Sequence, residues 1–118
     1  MEHSFRHGQL VVVVLRDPRE RYWGMLLDLE SSGIAHRGLE ISQWELALSL
    51  IKSGEIDQVS LGTRYFPMHR VESMYLDEAH LGVESMADTF LNRTCIVPSD
   101  YLETNSTLHL GAPYAPNS

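Results

Sequence analysis

The sequence predicts a mainly β fold, a β-rich α+β domain with one inserted helix and a short helix near its C-terminal end. Three observations carry this. Leu10 to Leu15 is an unbroken apolar run rich in β-branched residues, too short for a typical helix. Thr63 to Asp77 reads as two short strands joined at Pro67-Met68, because proline has no backbone N–H for a ladder and marks a break. Between them, Ser42 followed three residues later by Glu45 forms a capping-box pattern that opens an apolar stripe at helical spacing.

Residues 1–8 read as a polar arm with little to pack. Leu10–Leu15 is then a strand covered on both faces. Arg16 to Arg21 is a turn, set by Asp17 and Pro18. Tyr22 to Leu29 is the second strand, and its interior Gly24 implies a bend or a close backbone approach. Ser31-Ser32-Gly33 closes a hairpin into a third strand, Ile34 to Leu39. The inserted helix spans about residues 42–53. Ile41 and Leu46 are placed to form a hydrophobic staple, and Trp44, Ala47, Leu48 and Ile51 form its apolar face. Lys52 and Gly54 stop it. Glu55 to Gly62 is a linker, extended at Gln58 to Leu61. Ser85 to Arg93 forms the second helix, capped by Ser85, with Met86, Phe90 and Leu91 toward the body and Pro98 limiting its extension. Residues 1–103 are expected to form one domain, with residues 104–118 a flexible tail.

The totals bound the function. The chain has 118 residues and a formal net charge of -7, which argues against a general electrostatic binder of nucleic acid. A lone Cys95 excludes an internal disulfide and a multi-cysteine zinc site. No apolar run approaches a membrane span, and the N-terminus has no signal-peptide core, so a cytoplasmic protein with no membrane partner is expected.

The residues Gly24-Met25-Leu26 with Leu29-Glu30, and Met68-His69-Arg70-Val71-Glu72-Ser73-Met74-Tyr75, resemble the Sm-like small β-barrel family of Sm, LSm and Hfq-like proteins. The resemblance covers about residues 10–77, and His69 falls where the family's histidine falls. Met68 stands in place of the motif's lysine. No asparagine follows Glu30, no helix opens the chain, and the Ser42–Ser53 helix is an insertion. The resemblance implies a small, strongly bent antiparallel Sm-like barrel. It also implies a homo-oligomer joined through strand edges, since rings are built that way in the family.

Candidate chemistry is sparse. His69 and Arg70 follow the break and suit a phosphate or a base edge; the plainer reading is a turn cap and a surface ion pair. Arg37 would line the same site, and Tyr65 and Phe66 are strand aromatics suited to base stacking, as are Tyr22 and Trp23, although such residues more often fill cores. Arg16, Arg19 and Arg21 form a basic loop interleaved with Asp17 and Glu20. A metal site would need His36, His69, His80, Asp77 or Glu78 to converge, and none of the spacings is a zinc pattern. Cys95 amid Thr94 and Ile96 reads as a small buried hydrophobe. The expectation is a non-catalytic binding or assembly module without cofactor. The alternative is a weak binder of single-stranded RNA or a nucleotide through His69, Arg70, Arg37, Tyr65 and Phe66. A small enzyme using His69 as base ranks third.

Overall fold

The computed structural model describes residues 5–103. The strands are β1 (Leu10–Leu15), β2 (Glu20–Glu30), β3 (Gly33–Glu40), β4 (Gly62–Pro67) and β5 (Val71–Leu76). They form one antiparallel sheet in the order β4-β3-β2-β1-β5. The helices are α1 (Trp44–Lys52) and α2 (Met86–Thr94), followed by a helical segment over residues 98–103.

Both faces of the sheet are covered, which explains why β1 is apolar at every position. Val12 and Val14, with Trp23, Met25 and Leu39, face the helices and meet Leu48, Ile51, Phe90 and Leu102. Val11, Val13 and Leu15 face the other way and meet Tyr22, Leu26, Ile34 and Phe66. That second cluster draws on Phe66 of β4 and on Met74 and Leu76 of β5, so the sheet curls until its two outer strands share one core. The sheet does not close: β4 pairs only with β3, and β5 only with β1, among the described residues. A closed barrel is therefore replaced by an open, curled sheet.

The curl has a local cause. Gly24 lies opposite Gly38, and Gly38 opposite Gly62, so a row of glycines crosses β2, β3 and β4. A Cβ on Gly24 would run into the Arg37 carbonyl, and one on Gly38 into the Trp23 carbonyl. Only glycine allows the strands this approach. A bulge between Leu26 and Asp28 adds further bending to β2.

The helices differ from expectation at their ends. The chain enters α1 through a 3-10 turn, Ile41–Gln43, whose first cap is Glu40. That earlier start places Ser42 inside the turn, and no side-chain capping bond forms at Gln43. Leu46 is 56% exposed, so the staple is not formed, and Glu45 pairs instead with Arg93 at 3.0 Å. The apolar face holds: Ala47, Leu48 and Ile51 are buried and Trp44 packs on the same cluster.

Helix α2 is capped as its sequence suggests, the Ser85 hydroxyl accepting from the Asp88 amide at 3.0 Å. It stops at Cys95, which has a left-handed φ of 63° and is exposed rather than buried. Pro98 begins the following helical segment instead of marking a terminus, as suits proline in a first helical turn. The N-terminal arm also packs more than its polarity implies: Phe5 touches the inner cluster, and the Gly8 amide donates to the Leu26 carbonyl at 2.8 Å. The expected tail, 104–118, lies outside the described residues.

Asp77, at the end of β5, ties the layers together. Its Oδ2 accepts from the Trp23 indole at 2.9 Å and from the Ala87 amide at 2.8 Å. Its Oδ1 accepts from the Met86 amide at 2.8 Å. One carboxylate thus satisfies a buried indole and caps the N-terminus of α2, where negative charge is favoured.

Candidate functional site

The break between β4 and β5 is a single 3-10 turn, Met68–Arg70. Arg70 does not face open solvent there. Its Nε donates to the Arg16 carbonyl at 2.7 Å, and its Nη2 reaches the Pro18 carbonyl at 2.9 Å and Glu20 Oε1 at 3.2 Å. In return, Arg16 donates its amide to the Arg70 carbonyl at 2.8 Å and its Nε to the His69 carbonyl at 3.1 Å. The corner is thereby clamped to the β1–β2 turn. Arg19 pairs with Glu72 at 3.1 Å across the same junction. The basic loop is largely engaged in holding two turns together. The His69 side chain is exposed.

Arg37 lies on the opposite, helix-covered face of the sheet. It is 7% exposed and donates Nε to the Leu102 carbonyl at 2.9 Å and Nη1 to the Thr63 hydroxyl at 3.0 Å. Phe66 is buried in the inner cluster, 5.0 Å from the Tyr22 ring centroid. Tyr65 is 51% exposed, its hydroxyl donating to Ser32 Oγ at 2.7 Å. The five residues singled out by sequence therefore do not share one surface. Tyr22 and Trp23 are both buried, on opposite faces of the sheet. Among the described residues no group of three or more His, Cys, Asp or Glu is placed to hold a metal ion. No described helix is long and apolar enough to cross a membrane.

What the fold does present is a pair of strand edges left unpaired among the described residues. On β4, the Met68 amide donates to the Ser32 carbonyl at 2.9 Å. Antiparallel ladders alternate, so the amides of Phe66 and Arg64 turn toward β3 while those of Tyr65 and Thr63 turn outward. Pro67 falls on the outward side, where its missing N–H breaks no ladder bond. On β5, the Asp77 amide donates to the Leu10 carbonyl at 3.0 Å, which turns Ser73 and Tyr75 toward β1 and Met74 and Leu76 outward. An open groove of about 470 Å³ runs beside this edge, with Phe5, Met74, Tyr75 and His80 in its lining. Tyr75 is 49% exposed there.

A second concavity, of about 440 Å³, lies at the other end of β4 between Arg37, Thr63 and Tyr101 and the segment from Ile56 to Leu61. Burial pushes the Tyr101 phenol up to about 12, and Arg37 beside it offsets part of that effect. Arg37 is a candidate from sequence, but its neighbours in this cleft are not. Thr63 and Tyr101 are far apart in the chain, and no motif links them.

Comparison with family models, with curated proteins and with solved structures gave no match for this chain.

Proposed function

We propose that this chain is a non-catalytic assembly module of the Sm-like type, associating with copies of itself through β4 and β5. The observation that carries the reading is the pair of outer strands, unpaired among the described residues, at opposite ends of one curled sheet. Each offers outward backbone donors and acceptors, and each carries a half-exposed tyrosine. Such edges pair readily with another chain. Because β4 and β5 differ, pairing β4 of one copy with β5 of the next is head-to-tail, and head-to-tail contacts give rings when the rotation closes. The strand–break–strand corner and the glycine-bent second strand also support a likeness to the Sm-like barrel.

The experiment is native mass by light scattering at ~50 µM, a concentration suited to weak association. A mass several times that of one chain is expected. Tyr65→Pro removes an outward amide donor without removing a bond to β3, and it should return the mass to that of a monomer. Tyr65→Ala keeps the donor and should remain assembled. A wild-type monomer at this concentration would end the proposal. Ser73→Pro is not equivalent, because the Ser73 amide turns inward to β1 and its loss would weaken the fold itself.

A further inference from the structure

Arg37 carries a charge that has no ion-pair partner among the described residues. Both of its acceptors, the Leu102 carbonyl and the Thr63 hydroxyl, are uncharged. Tyr101 stays a neutral phenol near pH 7 and supplies no counter-charge. A buried charge is ordinarily paired, because desolvation without a partner is costly. A guanidinium has five N–H donors, and the Leu102 and Thr63 bonds use two of them.

The surroundings suggest what completes it. Arg37 forms part of the wall of the ~440 Å³ cleft, a size in the usual range of small-molecule sites. Ile56, Val59 and Leu61 give the cleft an apolar wall. The Thr63 hydroxyl accepts from Arg37 and keeps its own proton to donate. Asp57, exposed, is the one acidic residue in the lining.

We propose that this cleft binds a small monocarboxylate with an apolar body, its carboxylate on Arg37 and Thr63 and its hydrocarbon against Ile56, Val59 and Leu61. Arginine and a carboxylate meet with matched geometry and charge-assisted bonds. Asp57 repels a second negative charge, which selects a monoanion over phosphate or a dicarboxylate. The site does not depend on assembly through the strand edges.

The test is an amide-resolved NMR titration of the full chain at pH 7 with 4-methylpentanoate, its uncharged amide 4-methylpentanamide, and inorganic phosphate. Saturable shifts at Val59, Leu61, Gly62 and Thr63 are expected with the carboxylate alone. Arg37→Lys would also loosen the Leu102 contact, so Thr63→Val is the companion variant. It should weaken binding by about tenfold, the loss of one charge-assisted hydrogen bond, while the spectrum away from the cleft stays that of the wild type. Asp57→Asn, at an exposed position, should strengthen binding and let succinate compete. Shifts that grow without saturation, that map to the Arg16–Arg21 loop instead, or that appear equally with the amide would overturn the assignment.

Discussion

His36 is fully buried against Tyr22 and Phe66, with their ring centroids 6.5 and 5.7 Å away. Neither of its ring nitrogens has a hydrogen-bond partner of full geometry. Burial, and then the Arg64 charge, lower its pKa to about 4, against a small opposing pull from the Val11 backbone. The unfolded chain takes up this proton near 6.5, and the folded chain does not until about 4. Between those values the unfolded state binds more protons, so His36 lowers stability as pH falls through that window, by up to roughly 3 kcal/mol. His36→Leu should flatten this limb of a denaturation-against-pH curve while leaving stability at pH 7 unchanged or raised, since two buried, poorly satisfied nitrogens are removed. An unchanged slope in the variant would assign the acid limb to other groups. Asp77 makes the opposite case. Asp77→Ala strands the Trp23 indole and two helix amides, and should cost at least about 3 kcal/mol in urea denaturation, against ~0.5 or less for the exposed Glu78→Ala. In sequence Asp77 is legible only as a possible metal ligand or as a surface ion-pair partner of Arg70. Its three partners are brought to it by tertiary packing, which no local pattern encodes.

At the scale of elements, legibility followed the locality of the signal. The runs Leu10–Leu15 and Thr63–Asp77 declared their strands through composition and through Pro67, and the α2 cap through Ser85. At the entry to α1 the Ser42 box does not form, because a 3-10 turn starting after Glu40 preempts it. Gly24 signalled a bend, but its force comes from Gly38 opposite, a pairing fixed only by register. That pairing gives a sharp contrast. Gly38→Ala must push its Cβ into the Trp23 carbonyl, whereas at Gly62 the nearest atom is a flexible Arg64 side chain at 3.5 Å. Thermal unfolding should show a large loss for Gly38→Ala, several kcal/mol as for overpacked or strained core sites, and little for Gly62→Ala. The face of α1 yields to the same kind of comparison. Leu48 is 1% exposed, so Leu48→Ala should cost about 2–5 kcal/mol, while the exposed Ser49→Ala should not lower stability. The candidate site was the least legible part. Arg37, Arg70 and Phe66 have the chemistry of a binding site, yet one is buried under the helices, one clamps a turn and one fills the core.

At the scale of the whole molecule, assembly and nucleic-acid binding predict opposite responses to salt. Each copy carries a net charge of -7, so bringing copies together is opposed by repulsion between them. Added salt screens that repulsion, with a screening length of about 10 Å at 0.1 M. Association through backbone edges and the half-exposed Tyr65 and Tyr75 has no counter-ion release to lose. Assembly should therefore strengthen from ~0.05 to ~0.5 M salt, whereas binding to an RNA backbone would weaken steeply over the same range. Because only the folded chain can pair its edges, association also stabilises the fold by mass action, and Tm should climb with protein concentration. The climb should be steeper at high salt and absent in Tyr65→Pro. A Tm independent of concentration at every salt level, in a wild-type chain that unfolds reversibly, would mean that β4 and β5 end in solvent and that the edges are not where this molecule acts.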